Sequence, residues 1–84
     1  MGYIDQLRAN VVSQLSKKGF NQTVAASSLD LRQNSLSARL YGKTQFRLDE
    51  LLALAKLFEI SIHDLLEGVE EEYLSNGNIQ GVAS

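Results

Sequence analysis

Cysteine, proline and tryptophan are absent from these 84 residues, and methionine and histidine occur once each. Without cysteine there is no disulfide, no thiolate zinc centre and no thiol redox chemistry, so the fold must be held by packing alone. A chain of this length is only marginally stable by itself, and an apolar content of 44% suffices for a single core. The lack of proline removes the strongest interrupter of helices. With leucine and alanine abundant and charged residues spread at helical spacing, an all-α fold is expected. No apolar run reaches the roughly 18 to 20 residues of a membrane span. The opening residues, Asp5 and Asn10 among them, lack the apolar stretch of a signal peptide. A cytoplasmic protein with no membrane partner is therefore expected. Catalytic constellations are missing too. Ser27 and Ser28 have no general base, no glycine-rich phosphate loop occurs, and His63, among Ile62, Asp64 and Leu65, has no second ligand at metal-site spacing. The expectation is a protein that is not an enzyme and uses no metal, cofactor or small-molecule ligand.

The net charge of −2 and pI near 5.2 conceal a division along the chain. Residues 1–47 carry seven basic groups (Arg8, Lys17, Lys18, Arg32, Arg39, Lys43 and Arg47) against Asp5 and Asp30. From Leu48 onward Lys56 alone opposes eight carboxylates. Such a division suits a molecule with one face for a polyanion and another held away from it.

Periodicity and capping signals divide the chain into five short helices. Ile4, Leu7, Val11 and Leu15 recur at helical spacing, and Lys17-Lys18-Gly19 supplies the cations and glycine of a helix end, predicting a first helix over about 3–18. Asn21 is placed to cap a second over 22–28, in which Ala25 and Ala26 permit close backbone approach. A tight connection at Leu29-Asp30-Leu31 leads to a third, about 33–41, with Leu36 and Leu40 inward and Gly42 as its stop. Leu48, Leu51, Leu52, Leu54, Ala55 and Phe58 form a wide apolar stripe on a fourth, about 48–58, expected to be the main wall of the core. Ser61 opens a fifth, with Asp64 as a short-armed partner in a capping box, Ile62, Leu65 and Leu66 inward, and Gly68 at its end. The rest reads either as a hairpin or strand used for dimerisation, around the Asn76-Gly77 turn signal, or as a frayed terminus; the latter is expected. The domain thus spans 1–68 and a tail 69–84.

Two short helices joined by a tight turn, the second polar on its outer face, describe a helix-turn-helix. The stretch from Gln22-Thr23-Val24-Ala25-Ala26 through Leu36-Ser37-Ala38-Arg39-Leu40-Tyr41-Gly42-Lys43 resembles the motif of the Cro/CI-type, lambda repressor-like, DNA-binding proteins. Leu48-Asp49-Glu50-Leu51-Leu52-Ala53-Leu54-Ala55-Lys56, Ile60-Ser61-Ile62 and Asp64-Leu65-Leu66 are similar to the fourth and fifth helices of that family, so the resemblance covers about residues 3–66. It departs at three places. Asp30 and Glu59 stand at turns where the family has glycine, and a left-handed backbone there suits aspartate better than glutamate. Arg32 stands where a serine or threonine usually caps the third helix, so a contribution of about 1 kcal/mol is forgone.

The resemblance implies a compact five-helix domain and a sequence-specific transcriptional regulator, a phage or prophage repressor that binds double-stranded operator DNA as a homodimer in a bacterial cell. A restriction-modification controller or an antitoxin is the second reading within the DNA-binding class. A reading from another class is a helix-turn-helix-like protein-interaction module, such as an antirepressor, working through the acidic half. A further one is the DNA-binding portion of a longer repressor. In the family the third helix enters the major groove, where each base pair presents its own donors and acceptors. With Leu36 and Leu40 inward, Asn34, Ala38 and Tyr41 point outward, Ser35 and Ser37 lie on the flanks and Gln33 leads. Gln33, Asn34, Ser37 and Ala38 are the candidate base contacts: the amides suit an adenine edge, and Ala38 offers only apolar contact with a thymine methyl. Gln22 matches the family's phosphate-touching glutamine. Arg32, Ser35, Arg39, Lys43 and Arg47 are the other candidate backbone contacts, Arg39 also being within reach of a guanine. The remaining cations on the first helix, Arg8 among them, read as ordinary surface.

Overall fold

A computed structural model describes residues 2–75. Six helices and no strand occur among them: α1 Tyr3–Lys18, α2 Gln22–Ser28, α3 Gln33–Leu40, α4 Leu48–Phe58, α5 Ile62–Leu65 and α6 Val69–Ser75. The all-α expectation holds, with one helix more than expected.

Local chemistry accounts for where these helices begin and end. Asp5 Oδ2 accepts from the Gly2 backbone N–H at 3.0 Å, occupying one of the donors that the first turn of α1 leaves free. At the other end Gly19 takes a left-handed backbone at φ 72°, which lets the Phe20 N–H turn back onto the Leu15 carbonyl at 2.9 Å. Asn21 Oδ1 accepts from the Val24 N–H at 3.0 Å, the expected cap of α2. Arg32, at the cap position of α3, contributes no side-chain hydrogen bond there, also as expected. Ser61 Oγ caps α5 through the Asp64 N–H at 3.1 Å. Asp30 and Glu59 both sit at φ 58°, so each of these two turns keeps a left-handed residue without having glycine. The steric cost is about 1 kcal/mol at each position.

The core is a single cluster of Leu7, Val11 and Leu15 from α1, Ala25 and Ala26 from α2, Leu36 and Leu40 from α3, Leu54, Ala55 and Phe58 from α4, and Leu65 from α5. Ala25 and Ala26 put only methyl groups into it, which lets α2 approach α3 and α4 closely. Polar ties close the remaining seams. The Asn10 side chain on α1 donates to the carbonyls of Leu65 and Glu67, both at 2.8 Å, satisfying two acceptors at the C-terminal end of α5.

Two expectations are corrected. The apolar stripe of α4 is narrower than its sequence implies, because Leu48 and Leu52 lie at its edge and are 69% and 49% exposed among the described residues. The frayed tail is also overturned over its first part. Residues 69–75 form α6, packed on α1, where Tyr73 meets Tyr3 edge-on with ring centroids 5.2 Å apart. Val69 and Tyr73, four apart, lie on one face of that helix, and Glu70, Glu71 and Glu72 fill its first turn, where the helix dipole favours carboxylates. The Asn76-Gly77 turn signal and everything after it lie outside the described residues. No helix among the described residues is long and apolar enough to cross a membrane.

Candidate functional site

The rotation of α3 is set by two leucines. Leu36 and Leu40, 0% and 1% exposed, are anchored in the core, so the face of α3 opposite them is turned outward. Gln33 and Asn34 are exposed, while Ser37 and Ala38 are half-buried on the flank. These four line one open cleft of about 820 Å³ together with Gln22 from the start of α2, Tyr41 and Lys43. All four candidate base contacts and two of the candidate backbone contacts are therefore brought to one concave surface, from positions up to 21 residues apart. Its rim offers amide donors and acceptors, a hydroxyl, a methyl, a phenol and an ammonium group, and no carboxylate.

The other candidate backbone contacts divide into two groups. Arg32 is exposed at the α3 cap position and lines an adjoining depression with Thr23, Asp30 and Gln33, and Arg47 is exposed at the start of α4, 3.4 Å from Asp49 Oδ1. Neither Arg32 nor Lys43 takes part in an ion pair among the described residues. Arg39 and Ser35 are not gathered into the cleft. The Arg39 guanidinium turns inward instead, where Nε donates to Glu50 Oε1 at 2.8 Å and Nη1 donates to the Ser35 carbonyl at 3.1 Å. Its side chain is 15% exposed, so it serves as a brace between α3 and α4 rather than as a free cation.

Glu50 is the one buried charged residue among those described, at 8% exposure. Its Oε1 also accepts from the Arg47 backbone N–H at 2.9 Å, so a single carboxylate oxygen holds both the first turn of α4 and the last turn of α3. Burial opposes ionisation of this carboxyl, but the Arg47 N–H and the Arg39 guanidinium outweigh it, and the pKa lies below the ordinary 4.5.

Arg8, read from sequence as plain surface, has the most contacts of the cations on α1. Nη1 donates to the Leu40 carbonyl at 3.0 Å, Nη2 pairs with Asp5 Oδ1 at 2.5 Å, and the guanidinium carbon lies 4.5 Å from the centroid of the Tyr41 ring. The Gly2 N–H and this arginine hold the Asp5 carboxyl below its ordinary 3.8. Tyr41 lies on the outward face that the sequence gives the third helix, but nothing in the sequence pairs it with Arg8. Nothing within four residues of Arg8 signals the contact, since both Leu40 and Tyr41 are more than thirty residues away.

No group of three or more histidine, cysteine, aspartate or glutamate side chains is placed to hold a metal among the described residues, and His63 is exposed. Comparison with protein-family models, curated proteins and solved structures returns no match for this chain.

Proposed function

We propose that the chain is a sequence-specific DNA-binding transcriptional regulator, with α2 and α3 as a helix-turn-helix of the Cro/CI type that binds operator DNA as a homodimer. The observation that carries the reading is the cleft itself: Gln33, Asn34, Ser37 and Ala38 line it with Gln22 and Lys43, and it contains no carboxylate. In this reading α3 enters the major groove by its N-terminal end. The Gln33 and Asn34 amides bond adenine edges, each such pair supplying about 1 to 3 kcal/mol of discrimination. Gln22, Arg32, Lys43 and Arg47 set the register against the phosphates. Arg39 is dropped from the contact set because its charge is already spent on Glu50.

The test is to let the purified protein enrich duplexes from a random-sequence pool. The enriched duplex, the DNA upstream of its own gene and a random-sequence duplex are then titrated at several salt concentrations. The expected result is a preference for the enriched duplex that the double variant Gln33→Ala with Asn34→Ala abolishes, and an affinity that falls with salt at a log–log slope of about −0.9 per phosphate contact. If the protein enriches nothing and binds no duplex in a salt-dependent way, the reading fails in favour of a protein-interaction module.

A further inference from the structure

We propose that Tyr41 is a further DNA-contacting residue of this cleft, donating its phenolic hydroxyl to a phosphate oxygen, and that Arg8 is the positioning residue that aims it. The inference rests on the reading of the cleft as a DNA interface. Tyr41 is an aromatic residue left 62% exposed in the lining of a cleft otherwise made of amides, a hydroxyl, a methyl and an ammonium group. The ring is not loose, because the Arg8 guanidinium stacks over one face at 4.5 Å from the centroid. That guanidinium is fixed in turn by the Leu40 carbonyl at 3.0 Å and the Asp5 carboxylate at 2.5 Å. One contact from α1, the Arg8 guanidinium, thus holds the ring of a residue that follows directly on α3, so part of its rotamer entropy is lost before any ligand arrives.

The chemistry of the spot points to a phosphate rather than a base. Tyr41 follows the last residue of α3, eight positions beyond Gln33 at the leading end. A helix that enters the groove by its N-terminal end leaves its C-terminal end at the sugar–phosphate backbone. The one charged group in the cleft lining is a cation, Lys43 on the same rim, while the Arg8 guanidinium against the ring is paired with Asp5. An electropositive setting strengthens a phenol as a donor to an anionic oxygen. A neutral donor on a phosphate adds affinity without adding sequence information or releasing a counterion.

These properties give the test its readouts. Tyr41→Phe, Tyr41→Ala, Arg8→Gln and the double variant Arg8→Gln with Tyr41→Phe are titrated against the duplex enriched from a random pool and against a random-sequence duplex, after far-UV circular dichroism has matched each to the parent. Tyr41→Phe is expected to weaken binding to both duplexes by the same factor, roughly three- to tenfold, with an unchanged salt slope. Arg8→Gln is expected to cause a similar loss, again with an unchanged slope, and to add nothing in the Tyr41→Phe background. Three results overturn the proposal: parental affinity in Tyr41→Phe, a loss confined to the enriched duplex, or a slope shallower by about 0.9 in Arg8→Gln, which makes Arg8 itself the phosphate contact. The Gln33→Ala with Asn34→Ala variant runs alongside. If it loses the preference for the enriched duplex while Tyr41→Phe binds like the parent, only the role of Tyr41 falls; if it keeps the preference, the assignment of α3 as the reader falls.

Discussion

Replacing Glu50 with alanine removes the one carboxylate that joins α3 to α4, and its cost can be worked out from what the side chain touches. Glu50 and Arg39 have side chains 9% and 15% exposed, so this is a largely buried pair. Removing one partner of such a pair costs about 3 to 5 kcal/mol, mostly because the other charge is left desolvated and unpaired. Arg39 keeps the Ser35 carbonyl and a little solvent, which places Glu50→Ala at the lower end, about 3 kcal/mol. Glu50→Gln retains an acceptor for both the Arg47 N–H and the guanidinium and should cost about 1 kcal/mol. The double variant Arg39→Met with Glu50→Leu exchanges the pair for apolar groups of similar volume and should lie within about 1 kcal/mol of the parent. What remains is the lost acceptor for the N–H of Arg47, an exposed residue. The whole domain is held by only about 4 to 13 kcal/mol, so Glu50→Ala should lower the thermal midpoint by roughly 15 °C, at about 5 °C per kcal/mol. Urea unfolding followed by far-UV circular dichroism supplies the free energies for a double-mutant cycle, with a coupling of at least about 2 kcal/mol expected. Additive single and double effects, with Glu50→Ala costing less than about 1 kcal/mol, would refute the buried brace and return Arg39 to the surface cations.

Acid should weaken the fold through the same group. Glu50 and Asp5 both have folded pKa values below their ordinary 4.5 and 3.8, so the folded state binds fewer protons than the unfolded one as pH falls. Their stabilisation is present above those ordinary values and is lost as pH drops through the lower folded ones. Urea midpoints taken in steps below pH 4.5 should therefore decline for the parent and decline less for Glu50→Gln. Arg32→Ser supplies the missing cap of α3 while removing an exposed cation. It should stabilise the fold by about 0.5 to 1 kcal/mol and, if Arg32 touches a phosphate, flatten the salt dependence of DNA binding by about 0.9 per site. Loss of stability in that variant would mean the first turn of α3 has another donor arrangement. Glu59→Gly, at φ 58°, relieves a left-handed strain and should raise the urea midpoint by an amount equivalent to up to about 1 kcal/mol; an unchanged or lower midpoint would argue that Glu59 makes a compensating contact.

The helices were legible in the sequence because the signals that start and stop them act over three or four residues. Asn21 caps α2 through Val24, Gly19 ends α1 through Leu15 and Ser16, and Leu36 with Leu40 sets the outward face of α3. From that rotation alone Gln33, Asn34, Ser37 and Ala38 could be grouped, and they share one cleft. The partners of charged and aromatic side chains were not legible in the same way. Arg8 and Arg39 both count as surface cations along the chain, and only the packing of α1 and α4 against α3 commits the first to Leu40 and Tyr41 and the second to Glu50. Leu48 and Leu52 carry the same apolar pattern as Leu54 and Phe58, yet no neighbour among the described residues covers them, because periodicity states which residues share a face and not whether another element lies over it. The same holds for α6, a seven-residue helix too short to persist alone, which owes its existence to the α1 surface and the Tyr3 ring. Local backbone hydrogen bonds and side-chain periodicity are properties of a short stretch of chain and can be read from it; contacts across tens of residues depend on which surfaces the core brings together, and only the tertiary structure decides those.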